Sequence, residues 1–477
     1  MRDSVAGPYM SATRLRDAAL RGEVSCVEIV DAQLARIERL QPRLNAYAEV
    51  CAGPARARAA ELDARRSRGE PLGALFGVPF SVKDILNTAG VPTRWGSKLM
   101  RDNVPVDDAV AVARLRAADA ILLGKTTTSE FAHSMMGRSP LTGLTVNPWN
   151  AAVTSGGSSC GAGVAVASGQ GPLALATDAG ASTRLPAACN GIVGLKPTLG
   201  AIPHNQVPDG FGNFIHLGLM ARSVADVALM LDVVSGAHAS DPHSIARAPT
   251  RAVDALLAAG GLSGKRVGVL RRVGNRKLDP TVEAALDEAA RTMAGMGARV
   301  SEIDYTLDSP EPAWRALQQM NWAARFAAQL DKIRDSIDPS YAQGIAEGAA
   351  LSGLELQRAI QKRTELFRAV QVWFREMDLV LSPVMSRPPL DANHGVLEPI
   401  TIAGETVGDM RREWTPYLSL FDLTGHPAVS LPAGHGMDGV PLGVQLVGRW
   451  HEDAGLLAAA AAYEAAVRWA GAVPPLD

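Results

Sequence analysis

Two stretches decide how this chain is read: Thr154-Ser155-Gly156-Gly157-Ser158-Ser159-Cys160-Gly161, and Ala176-Thr177-Asp178-Ala179-Gly180-Ala181-Ser182-Thr183-Arg184-Leu185-Pro186. Each is a turn of small residues that presents a serine. The second grows directly out of the apolar run Leu173–Ala176. Similar short runs, Val78–Val82 and Ala120–Leu123, alternate with Gly/Ser/Thr-rich turns between Gly77 and Pro197. Short apolar strands separated by helical segments predict an α/β core built on a buried, mixed sheet.

Working outward, apolar residues from Ser11 to Ala46 recur near helical spacing and predict two helices broken at Gly22, with Ser25 capping the second. The Ala/Arg-rich run Ala52–Arg68 reads as a surface helix. Beyond Gly264, strands are expected at Arg266–Leu270 and Arg299–Ile303, with the helix Pro280–Met296 between them. Residues 310–375 read as a long peripheral helical layer. Leu379–Leu381, Ala428–Leu431 and Gly443–Val447 return to strand character, and Asp453–Ala470 closes with a helix. No repeat or low-complexity linker divides the chain. One domain spanning 1–477 is expected: N-terminal helices (1–70), a catalytic core (71–240), a peripheral, mostly helical region (241–375) and a C-terminal return to the core (376–477).

Bulk composition narrows the function. A net charge of −2 gives no basic field for nucleic acid or an anionic membrane. Cys26, Cys51, Cys160 and Cys189 form no CxxC pair, which argues against a disulfide scaffold or structural zinc and for a cytoplasmic setting. The N-terminus has no apolar core of signal-peptide type. Ala454–Val473 is interrupted by Glu464 and Arg468, and reads as a packed helix instead of a membrane span.

The two turns carry the chemistry. Successive backbone N–H groups around Ala179, Gly180, Ala181 and Ser182 could converge on one point, as an oxyanion hole requires. A serine needs a base to become a useful nucleophile. His133 and His204, the nearest histidines, belong to no recognisable Ser-His-Asp framework. Lys83, in Gly77-Val78-Pro79-Phe80-Ser81-Val82-Lys83-Asp84, is the other option, because burial would lower its pKa and convert it into a base.

These segments resemble the signature of the amidase signature family: a VKD lysine, a GGSS-type turn, and a D-x-G-x-S-x-R-x-P turn leading to Gly194-Leu195-Lys196-Pro197. Lys83 precedes Ser158 by 75 residues, and Ser158 precedes Ser182 by 24. The resemblance continues at Gly124-Lys125-Thr126, Asn147-Pro148-Trp149, Leu423-Thr424-Gly425-His426-Pro427 and Pro441–Gly448, so it covers nearly the whole chain. It implies a central mixed sheet covered by helices on both faces. It also implies Ser182 as nucleophile, Ser158 after a cis peptide bond as proton relay, Lys83 as base, and the backbone from Ala179 to Ser182 as oxyanion hole. Ser159 would orient Lys83, and Asp178 with Arg184 would tie the turn together. No metal or organic cofactor is implied. One departure stands out: Gly180-Ala181 replaces the usual pair of glycines, and alanine would be strained there if the position needed positive φ.

Other motifs read as structural. Gly124-Lys125-Thr126 ends like a P-loop, but Asp119 stands where the earlier glycine is required. Cys160 is expected to pack, Asp84 to be a structural partner, His426 a turn residue, and Trp95 and Trp149 core. Met135, Met136, Phe211 and Phe214 are candidate pocket residues. The expected activity is cleavage of the C–N bond of a small neutral or aromatic amide, anilide or carbamate by a monomer or homodimer. Two alternatives remain: a glutamine-hydrolysing component of a tRNA-dependent amidotransferase, or a silent binding homologue spoiled by Ala181. The first is disfavoured because the chain reads as complete in itself, with no basic surface run.

Overall fold

The computed structural model describes residues 7–258, 261–304, 307–436 and 438–476. Its centre is an eleven-stranded sheet. In chain order the strands are β1 (Tyr47–Val50), β2 (Pro79–Lys83), β3 (Ile121–Thr126), β4 (Leu173–Asp178), β5 (Val193–Lys196), β6 (His216–Ala221), β7 (Arg266–Val269), β8 (Arg299–Glu302), β9 (Leu379–Pro383), β10 (Ala428–His435) and β11 (Pro441–Val447). Across the sheet they run β1-β3-β2-β4-β6-β5-β10-β11-β9-β7-β8. β2 is parallel to both β3 and β4, whereas β4 is antiparallel to β6, so the sheet is mixed.

Both faces of the sheet are buried, and one strand shows why. Along β4, Leu173 and Leu175 join a core cluster with Val227 and Leu231, while Ala174 and Ala176 join another with Ala162, Val166 and Ala187. Alternate residues of a strand point to opposite faces, so β4 is covered twice. The second face is lined by alanines, which lets short helices come close to the sheet.

The N-terminal helices fall as the sequence predicts: α1 (Ala12–Arg21) and α2 (Cys26–Leu44). Gly22 takes φ 73° after α1, the left-handed position that favours glycine. Ser25 closes a capping box with Glu28. Helix α3 (Ala52–Ser67) follows. Next to the serine turns lie α4 (Cys160–Ala167) and α5 (Arg184–Asn190). The helical layer resolves into α6 (Glu311–Phe326), α7 (Pro339–Ala350) and α8 (Gly353–Glu376), joined by short helical pieces.

Three strands escaped the sequence reading: β1, β5 and β6. β5 and β6 are fully buried on both sides and carry glycine and a histidine. They therefore show no alternation that would mark a strand. Among the described residues no helix is long and apolar enough to cross a membrane. All four cysteines are buried and free.

Candidate active site

Lys83 is the last residue of β2, and Asp178 the last of β4. Because the two strands are parallel, both end at the same edge of the sheet, where open α/β sheets expose their crevices. The turn after β4 carries Ser182, and the turn before α4 carries Ser158. Both converge on Lys83. Lys83 Nζ lies 2.7 Å from Ser158 Oγ, which lies 2.8 Å from Ser182 Oγ. The peptide bond between Gly157 and Ser158 is cis. Gly157 fits only without a side chain: a Cβ there would come within 2.7 Å of the Met135 backbone.

Lys83 is fully buried, and burial disfavours its charged form, lowering its pKa to about 7 against the weak opposing pull of Cys160 and Asp178. Near neutrality it is therefore divided between amine and ammonium. Its second partner is Thr177, whose Oγ1 accepts from Nζ at 2.9 Å. Sequence reading assigned the orienting role to Ser159. Among the described residues Ser159 Oγ instead donates to the Thr177 carbonyl at 3.3 Å and makes no hydrogen bond to Lys83. Thr177 ends an apolar strand where threonine is unremarkable by pattern, so nothing in the sequence singled it out.

Asp178 anchors the second turn. Its carboxylate accepts from the backbone N–H of Thr183 and Arg184 and pairs with the Arg184 guanidinium at 2.9 Å. Burial alone would raise the Asp178 pKa, but Arg184 outweighs it and holds it at about 2. Arg184 reaches on to Asp422 at 2.5 Å and Gln445 at 2.7 Å, so C-terminal elements brace the turn. Between these anchors, the N–H groups of Gly180, Ala181 and Ser182 donate to no group among the described residues. Trp314 fixes how one of them faces. Its Nε1–H donates to the Ala179 carbonyl at 2.5 Å. In a trans peptide the C=O and N–H point in opposite directions, so this bond turns the Gly180 N–H away from Trp314. A Cβ on Gly180 would meet Trp314 Nε1 at 2.7 Å, so any side chain here would displace the indole.

Position 181 is different. Ala181 lies outside the positive-φ residues, and its methyl is buried against Met135, Met136 and Leu185. Alanine is therefore unstrained here.

A profile of the Amidase family matches residues 28–457. The chain belongs to the amidase signature family. An acylamidase of Rhodococcus erythropolis is 34% identical over 472 residues, covering 98% of this chain and 97% of that protein. A glutamyl-tRNA(Gln) amidotransferase subunit of Symbiobacterium thermophilum is 35% identical over 498 residues, covering 98% and 99%. The structure of a bacterial aryl acylamidase superposes with a TM-score of 0.89 at 28% identity, covering 97% of each chain.

In this amidase signature chain a cleft opens over Ser182, Gly180 and Ala179. Phe214 lines it. Phe211 does not: it is 85% exposed on a turn that Asp209 caps through the N–H groups of Phe211 and Gly212. Met135 and Met136 are buried in one apolar cluster with Ala181 and do not line this cleft. Trp95, expected to be core, lines it. Trp149 instead donates to the Asn190 carbonyl, and His426 packs under Phe374, both away from the cleft.

The largest omission is α6. Trp314, Gln318, Asn321, Trp322 and Arg325 all face the cleft at helical spacing. The region read as peripheral thus builds a wall of the site. Trp95, Phe131 and Ala132 also line the cleft, with φ of 57°, 45° and 58°. Non-glycine residues in that region cost on the order of 1–3 kcal/mol each and persist where packing over-determines them. Here Arg325 lies over both the Trp95 and Phe131 rings.

Among the described residues no group of three or more His, Cys, Asp or Glu side chains is arranged to hold a metal ion.

Proposed function

We propose that the chain is a serine amidohydrolase that cleaves the C–N bond of a small neutral or aromatic amide, anilide or carbamate through an acyl-enzyme on Ser182. The observation that carries the reading is the unbroken hydrogen-bonded line from Ser182 Oγ through Ser158 Oγ to a fully buried lysine whose pKa lies near neutrality.

Neutral Lys83 accepts a proton from Ser158 while Ser158 accepts one from Ser182, and Ser182 Oγ adds to the substrate carbonyl. The N–H groups between Ala179 and Ser182 receive the resulting oxyanion. The Lys83 ammonium then returns a proton through Ser158 to the departing nitrogen, the C–N bond breaks, and the amine leaves. Water attacks the acyl-enzyme by the same relay, releasing the acid and regenerating the Ser182 hydroxyl. The aromatic side chains of the cleft supply apolar area for an aryl group on either side of the scissile bond.

A second reading, glutamine hydrolysis for an amidotransferase, draws support from the 35% identical amidotransferase relative. Turnover of 4-nitroacetanilide, an aryl carbamate and glutamine separates the two. Release of 4-nitroaniline with no ammonia from glutamine supports the first reading. Ammonia from glutamine with neither aryl substrate cleaved overturns it.

A further inference from the structure

Arg411 holds a cation beside the oxyanion turn that the mechanism does not use. It lines the cleft with Ser182 and Gly180, and its guanidinium lies 3.7 Å above the Trp314 ring centre. A methyl group built on Gly180 would sit 3.0 Å from Arg411 Nη1. Its one protein hydrogen bond among the described residues is from Nη2 to the His133 carbonyl at 3.4 Å. No described carboxylate lies within ion-pair distance.

The nearby acids are committed elsewhere. Glu311 pairs with Arg315, Asp409 lies 3.0 Å from Arg315, and Asp422 lies 2.5 Å from Arg184. Burial and the neighbouring Arg315 lower the Arg411 pKa to about 10, so the group remains a cation at neutral pH. Gln318, which lines the same cleft, has its Oε1 buried with no hydrogen-bond partner among the described residues. At the mouth, Arg325 is stacked on Trp95 and Phe326. Among the described residues the single acidic one lining the cleft, Asp209, is occupied by backbone N–H groups. The cleft therefore carries more positive than negative charge and holds a planar, stacked guanidinium whose donors are largely unspent. Such a fork matches a carboxylate.

We propose that Arg411 anchors a carboxylate on the substrate a few bonds from the scissile carbonyl, so that the preferred substrates are carboxylate-bearing amides or anilides. The inference rests on Ser182 being the residue acylated. Arg411 does not take part in bond breaking; it fixes where the carbonyl sits relative to Gly180.

The test compares charged and neutral substrates of equal size. On the acyl side these are the 4-nitroanilides of succinic and glutaric half-acids against those of butyric and valeric acids. On the amine side they are 4-acetamidobenzoate against 4-acetamidobenzamide. In the native chain kcat/KM should favour the carboxylate roughly 10- to 100-fold in one of the two series, as a charge-assisted bond implies. In Arg411→Met that ratio should collapse towards one, and in Arg411→Lys it should be intermediate. The ratio cancels any loss common to both substrates from a disturbed turn. The native series alone overturns the inference if neutral substrates match or exceed charged ones in both arms. A ratio unchanged in Arg411→Met overturns it too. Cleavage of neutral anilides without charge preference rejects only the anchor. Failure to cleave any substrate, with Ser182 unreactive, rejects the serine amidohydrolase reading itself.

Discussion

The pH dependence of the rate follows from the burial of Lys83. An unperturbed lysine has a pKa of about 10.4, so at pH 7 roughly one in 2,500 is neutral. Burial brings Lys83 to about 7, where half is neutral. The structure thus raises the population of the free base about 10³-fold, corresponding to roughly 4 kcal/mol. kcat/KM should rise about tenfold per pH unit below the Lys83 pKa and level off above it. Lys83→Met should lose that limb along with most of the activity. The sign for stability is separate. Between about pH 7 and 10.4 the unfolded chain holds a proton on this residue that the folded chain lacks, so stability rises with pH across that window. Below it both states are protonated and the residue adds no slope. Burial lowers Lys125 and Lys196 in the same direction, so denaturation reports all three lysines and only kinetics isolates Lys83. The assay is hydrolysis of a neutral 4-nitroanilide from pH 5 to 9. A rate limb centred near 10, or one that survives intact in Lys83→Met, would refute the assignment of Lys83 as base.

Three further outcomes are expected. Gly180→Ala puts a methyl 2.7 Å from Trp314 Nε1, displaces the indole from the Ala179 carbonyl, and should lower kcat about 10²- to 10³-fold by misdirecting an oxyanion donor; steady-state kinetics on the same anilide checks it. Thr177→Val removes a hydrogen bond that favours the Lys83 ammonium, so the acidic limb should move to lower pH while kcat falls about tenfold. Asp178→Asn takes one of two carboxylate partners from the buried Arg184, leaving only Asp422, and should cost about 1–3 kcal/mol, read as a lower denaturation midpoint.

The sequence was most informative where local chemistry and periodicity agree. Gly22 and Ser25 announce the break between α1 and α2 because a left-handed stop and a capping box each need particular residues. Lys83, Ser158 and Ser182 were legible through the spacing of three motifs, and the structure brings their side chains within hydrogen-bond distance. What stayed hidden depends on contacts between distant segments. Thr177 reaches Lys83 only because β2 and β4 lie side by side. Trp314 and Arg411 meet the turn after β4 from segments more than 130 and 220 residues downstream, with no motif to link them. Residues 310–375 read as helical, but that Trp314, Gln318 and Asn321 share a face turned to a cleft was not visible. Phe211 misled for the same reason: an aromatic in a glycine-rich loop looks like a pocket residue until the Asp209 turn carries it outward.

The central claim is that Ser182 is an activated nucleophile. Intact-mass spectrometry after exposure to a fluorophosphonate, with Ser182→Ala alongside, tests it directly. One adduct on the native chain, mapped to Ser182 and absent from the variant, is the expected result. Folded native protein that takes up no adduct, or an adduct that persists in Ser182→Ala, would contradict it.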